Sequence, residues 1–218
     1  MEANLNSNNI VRRTRSSSQP RDHIFETVKT TEPILYKERW HLNWLLNLSL
    51  DDSLVHLQQS SQTDKHAQRQ MAVETTDLAG RIDLRICSID TNHSSRENID
   101  ATIAKVDFKS SVMKSPTRSN VLAIWAVRDL QVNLDARLAI MQAVDDSCEI
   151  TIRSLSKVLD VDPVTAAKFV LALAFQSLLL IDLDRPVCFE SSVRMTKFSQ
   201  YSNWSHSSNT CCPPIRKE

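Results

Sequence analysis

Arg81-Ile82-Asp83-Leu84-Arg85-Ile86-Cys87 and, further along, Ile103-Ala104-Lys105-Val106-Asp107-Phe108-Lys109 decide how the first half of this chain is read. In the first stretch Ile82, Leu84 and Ile86 alternate with Asp83, Arg85 and Cys87, the period-two pattern of a strand. The second returns as another strand, on which Asp107 and Lys109, two residues apart, are expected to share a face. A helix is expected before them, from about Leu35 to Leu48. Leu35, Trp40, Trp44, Leu45 and Leu48 give it an apolar stripe, and it carries Glu38. Asp51-Asp52 ends that helix, and Leu54–Leu57 reads as a short strand. Residues 58–70 read as loop, 90–100 as a polar turn region, and the apolar run Val121 to Val127 as a buried strand. The expected fold class is α/β, with a mixed sheet domain over residues 34–131.

From Leu134 the period changes to that of a helix, through Leu134, Leu138, Ile140, Met141 and Val144. A second helix is expected from Thr151, its N-cap, to Leu159. Asp162 is expected to cap a third that has Pro163 at its first position and runs to about Leu178. Leu180–Leu183 and Val187–Phe189, separated by Asp184-Arg185-Pro186, read as a hairpin. Three helices and a hairpin make the winged helix-turn-helix pattern, so residues 132–190 are expected to form a winged-helix domain. Residues 1–33 and 191–218, rich in Ser and Asn, read as flexible tails.

Composition removes several classes of function. The chain of 218 residues has one glycine, too few for a P-loop, a dinucleotide fingerprint or a nucleophile elbow. Its 26 basic and 26 acidic residues cancel, so no global field draws it to nucleic acid or membrane. Residues 132–190 alone carry 5 basic and 9 acidic side chains, and residues 191–218 carry 4 and 1. The third helix of the winged pattern offers only Thr165, Lys168, Gln176 and Ser177 to base edges, which points to protein contact rather than base reading. Five cysteines without C-x-x-C spacing indicate neither a disulfide framework nor a zinc site. With no signal-peptide core and no apolar run of membrane-spanning length, a cytoplasmic protein with no membrane contact is expected.

The chemistry lies in the acidic residues of the first domain. If Asp83 and Asp107 sit on neighbouring strands, the two carboxylates can share Mg²⁺ (or Mn²⁺), which takes one or two carboxylates together with substrate phosphate oxygens. Lys109 beside them would orient the attacking water, and Glu38 would complete the shell or hold a water-bridged second metal. An acidic-x-Lys triplet is expected about once by chance in a chain with this many acidic residues and lysines. Only the order distinguishes this one: helix with Glu38, strand with Asp83, turn, strand with Asp107-Phe108-Lys109.

That order, followed by Ala126-Val127-Arg128-Asp129-Leu130 and the winged pattern, resembles the TnsA family of transposon end-cutting endonucleases, whose core is restriction-endonuclease-like with a PD-(D/E)xK motif. Lys37-Glu38-Arg39-Trp40 through Leu50-Asp51-Asp52-Ser53-Leu54 is similar to the family's acidic helix and the turn after it. Arg81-Ile82-Asp83-Leu84 is similar to its Pro-Asp-Phe strand, and Val106-Asp107-Phe108-Lys109 to its metal-and-lysine strand. The stretch Trp125 to Leu138 is similar to the strand end and linker helix that follow. The resemblance spans about residues 34–190. Ile82 stands in place of the motif proline, and His41 stands where the family's helix often has a second acidic residue. The resemblance implies a Mg²⁺-dependent DNA endonuclease subunit acting on transposon ends, with a DDE-type transposase and an AAA+ ATPase regulator as partners. The alternative is a non-catalytic winged-helix regulator or adaptor with a decayed nuclease fold.

Other residues carry blander readings. His41 and His56 lack a ligand partner at helical spacing and are read as ordinary surface or half-buried histidines. Trp40 and Trp44 are read as core packing rather than base stacking. Arg12-Arg13-Thr14-Arg15 is read as a solvated segment with modest affinity for phosphate, and Cys211-Cys212 as exposed thiols.

Overall fold

The computed structural model describes residues 23–60, 70–89 and 104–197. The expected turn at 90–100, most of the loop at 58–70, the arginine cluster and Cys211-Cys212 lie outside the described residues. The architecture is mixed α/β. Its elements are β1 (His23–Phe25), β2 (Ile34–Tyr36), α1 (Arg39–Leu50), β3 (Leu54–Gln59), β4 (Gln70–Asp77), β5 (Ile82–Ser88) and β6 (Ala104–Phe108). They continue as α2 (Lys109–Val112), α3 (Thr117–Ala126), α4 (Leu134–Ser147), β7 (Ile150–Thr151), α5 (Ile152–Val158), α6 (Pro163–Phe175), β8 (Leu179–Ile181) and β9 (Ser192–Met195).

A four-stranded sheet in the order β3-β4-β5-β6 holds the first half together. β3, β4 and β5 form an antiparallel meander, whereas β6 lies parallel to β5. α1 packs on this sheet and is buried nearly all round. Trp40, Trp44, Leu45, Leu46 and Leu48 join Leu54, Leu57, Met71, Val73 and Cys87 in one core. The helix begins at Arg39 rather than Leu35. Ile34–Tyr36 pair instead with β1, so Leu35 faces outward opposite Ile24.

β4 was not anticipated. Its buried residues Met71, Ala72, Val73 and Thr75 do not alternate cleanly with exposed ones, so period two is masked. Val121 to Ala126 is helix, not strand, with Val127 its C-cap. Asn120, Val121 and Ile124 are its buried positions, at the three- and four-residue spacing of a helix face. The apolar run suited either structure, and its length and composition did not decide between them.

A second core gathers Ile140, Val144, Ile152, Leu155, Val170, Leu173, Leu179 and Val193 from α4, α5, α6 and a three-stranded sheet in the order β7-β9-β8. Local capping fixes the helix starts. Asn133 Oδ1 accepts from the Ala136 amide at 2.8 Å, Thr151 Oγ1 from that of Ser154 at 3.1 Å, and Asp162 Oδ1 from those of Val164 and Thr165 at 2.9 and 3.0 Å. The partner strand of β8 is Ser192–Met195 rather than Val187–Phe189.

Two boundaries move as a result. Residues 23–33, read as tail, hold β1 and place Phe25 and Lys29 in the interior. Residues 192–195, also read as tail, are the central strand of the second sheet, with Val193 buried between polar neighbours. The cores meet at α3, whose Val121 belongs to the first and Ile124 to the second. Trp125 stacks on Phe25, 6.0 Å between ring centres, and meets Phe175 edge-on at 5.8 Å. No helix among the described residues is long and apolar enough to cross a membrane.

Candidate functional site

Trp40 and Trp44, four residues apart, lie on one face of α1, and the end of β6 comes to rest against them. The Trp44 indole N–H donates to Asp107 Oδ2 at 2.8 Å. The strand ends at Phe108, so Lys109 is the first residue of α2 and not a strand residue in step with Asp107. It still reaches α1, its ammonium standing 5.5 Å from the centre of the Trp40 ring in a cation–π contact. Asp107 and Lys109 are therefore brought to the same helix, by the tryptophans that the sequence assigned to packing.

Glu38 is the N-cap of α1 and is exposed to solvent. Its backbone N–H donates to His41 Nδ1 at 3.4 Å, which leaves the proton of the neutral imidazole on Nε2. His41 is buried rather than at the surface. Burial holds its pKa down at about 4, with Glu38 pulling it up and Lys109 pushing it further down. The first turn of α1 thus gathers Glu38, His41 and Lys109 within electrostatic reach of one another.

Asp83 stands elsewhere. β5 and β6 are neighbours, but the parallel register sets Cys87 beside Asp107 and Leu84 beside Ala104. Asp83 is four residues before Cys87, so it lies on the same face but about 13 Å along the strand from Asp107, at roughly 3.3 Å per residue. An antiparallel pair would have brought the start of one strand beside the end of the other. The parallel one holds them at opposite ends. Asp83 Oδ2 instead faces Lys105 Nζ at 3.8 Å, in a half-exposed ion pair. A single Mg²⁺, with oxygen ligands near 2.1 Å, cannot be shared across that separation, so the residues present do not fit the expected shared-metal site. Among the described residues no three His, Cys, Asp or Glu side chains are grouped as metal ligands.

Three polar residues that the sequence reading did not gather lie in the same interior. Asn43 is fully buried on α1 and its Nδ2 donates to Met113 Sδ at 3.1 Å, while its Oδ1 has no partner among the described residues. Cys87 is buried beside Asp107, and desolvation first, then that carboxylate, pushes its thiol pKa up. Lys29 is buried under the far end of α1. Its Nζ donates to the carbonyl of Asp51, the C-cap residue, at 2.7 Å. Burial lowers its pKa to about 8 against the opposing pull of Asp51 and Asp52.

No family model matches the chain, and no curated protein is significantly similar to it.

Proposed function

We propose that this chain is a non-catalytic winged-helix adaptor built on a nuclease-like sheet unit, and that it works by docking protein partners. The observation that carries this reading is the separation of Asp83 from Asp107 along parallel strands, which leaves the carboxylate pair of a PD-(D/E)xK centre unassembled. Asp107 is engaged with Trp44 and Lys109 with Trp40, so both serve the packing of α1.

The second unit supports the same reading. Its order of α4, β7, α5, α6, β8 and β9, with β9 between β7 and β8, supports a winged helix-turn-helix reading. At the start of α6, where a DNA-binding member would offer backbone N–H groups to a phosphate, the Asp162 carboxylate already accepts from two of them. The side chains turned to solvent there include Val164 as well as Lys168, and Val158 of α5 is exposed nearby in sequence; the two valines are each 52% exposed. A net charge of −4 over residues 132–190 opposes a phosphate backbone. Partners of the kind implied by the TnsA resemblance, a DDE-type transposase and an AAA+ ATPase regulator, fit a surface of this character.

A second reading, a Mg²⁺-dependent endonuclease cutting transposon ends, is favoured by one observation: Asp107 and Lys109 both converge on α1, which Glu38 caps. The two separate in a reconstituted cleavage assay with transposase, ATPase and end-containing DNA. Asp83→Asn, Asp107→Asn and Lys109→Gln leave cleavage unchanged if the chain is an adaptor, and Val158→Asp with Val164→Asp abolishes assembly. Loss of cleavage with assembly intact in the Asp107 or Lys109 variant would establish the nuclease instead. Asp107→Asn is chosen because it keeps an acceptor for the Trp44 indole.

A further inference from the structure

Asn120 lies on α3, 4% exposed, and its side chain makes three hydrogen bonds to one stretch of backbone. Nδ2 donates to the carbonyls of Leu183 and Arg185 at 2.9 and 2.7 Å, and Oδ1 accepts from the Val187 N–H at 3.1 Å. An amide carries two N–H donors and an acceptor oxygen, so both donors are used and the acceptor is engaged. Those three backbone groups belong to the connection between β8 and β9, residues 182–191. The far end of the same connection is tied to its own unit, where the Ile152 and Arg153 N–H groups donate to the carbonyls of Ser191 and Phe189 at 3.2 and 2.8 Å. One loop is therefore held by α3 on one side and by α5 on the other.

We propose that Asn120 is the clasp coupling the two units, fixing the β8–β9 connection on α3 where a DNA-contacting wing would need to be free. The loop's own composition agrees, since Asp182, Asp184 and Glu190 outnumber Arg185 and suit it poorly to a phosphate backbone. Around the clasp the contact is apolar: Leu183 and Phe175 each pack against both cores. Among the described residues, Ser177 Oγ to the Ser49 carbonyl, 3.5 Å, and the Lys197 N–H to Asp52 Oδ1, 2.7 Å, are further polar ties between the halves, each a single bond. The Asn120 amide reads three backbone groups at once, and that makes it selective. Aspartate has the same shape but no donors, and it would face the two carbonyls with a negative charge. The proposal stands whether or not the chain cuts DNA.

The test uses the full chain. In the wild type, through-hydrogen-bond couplings should link the Asn120 side-chain nitrogen to the carbonyl carbons of Leu183 and Arg185; their absence overturns the proposal. Asn120→Asp and Asn120→Ala should speed amide exchange at Val187 about tenfold, the change matched to a lost hydrogen bond, while amides of the four-stranded sheet keep their protection. The same variants should split one unfolding transition into two, with amides of residues 134–195 losing protection before those of the four-stranded sheet. Unchanged Val187 exchange, or coincident unfolding of both units in the variants, contradicts the clasp. A control at the neighbouring exposed position, Ser119→Ala, should alter neither.

Discussion

The two units treat their polar groups in opposite ways. In the helical unit each helix start is capped by a side chain close by in sequence: Asn133 for α4, Thr151 for α5 and Asp162 for α6. In the sheet unit several buried side chains instead reach distant parts of the chain, from Lys29 to Asp51, from Trp44 to Asp107 and from Asn43 to Met113, beside local bonds such as that of Glu38 to His41. Several groups there, including Trp40 Nε1, His41 Nε2 and Asn43 Oδ1, are buried without a protein partner among the described residues. Burying a polar group costs free energy unless it is bonded, so the sheet unit holds interactions that are both more costly and more cooperative. Its stability should depend on pH and on single long-range partners. That of the helical unit should depend on pH only in acid, through the Asp162 cap whose hydrogen bonds from Thr165 and Val164 hold its pKa down, and on the long-range clasp at Asn120.

The largest break in this comparison should come from Trp44→Ala. The ring is 1% exposed, so its removal should cost about 3–5 kcal/mol in denaturant unfolding and leave Asp107 without its donor. Acid should come next. The His41 pKa lies at about 4 in the folded chain against 6.5 unfolded, so the unfolded state binds the proton more tightly. The stability associated with neutral His41 is complete above pH 6.5 and is lost as pH falls through 4, at most about 3 kcal/mol. His41→Gln should flatten that slope, as read from melting temperature against pH. Lys29 acts at the other end of the scale. Its folded pKa of about 8 lies below the unfolded 10.5, so stability should rise between those pH values as the buried ammonium becomes neutral. Lys29→Met should abolish the rise.

Smaller effects sharpen the contrast. Asp107→Ala should cost about 1–3 kcal/mol by leaving the Trp44 N–H unpaired, while Asp107→Asn should cost much less. In the helical unit Asp162→Ala should destabilise α6 through the lost cap and remove the acid sensitivity that the lowered Asp162 pKa confers. Equal pH dependence of amide protection in the two units would break the comparison.

The same contrast explains what could be read from the residues alone. The start of α4 was legible from its helical period, and those of α5 and α6 because their caps and Pro163 act over three or four residues. Strands β5 and β6 were also legible as elements. Their parallel pairing was not, because register depends on contacts distant in sequence, and it was register that decided whether Asp83 could meet Asp107. Val121 to Val127 failed for a related reason: an apolar run reports burial without reporting period. Lys109 was placed on a face shared with Asp107 by counting along a strand that in fact ends at Phe108. It nonetheless reached the same helix, through Trp40.

The central claim is that the strand pair β5–β6 keeps the two carboxylates apart, and engineered cysteines test it directly. A disulfide requires Cα atoms within about 7 Å. Asp107→Cys in the otherwise native chain should therefore oxidise to Cys87, its neighbour in register. The triple variant Asp83→Cys, Cys87→Ser, Asp107→Cys should form no disulfide between positions 83 and 107 under the same conditions. A bridge between positions 83 and 107 in that variant would contradict the account, bringing the carboxylates together and restoring the metal-dependent reading.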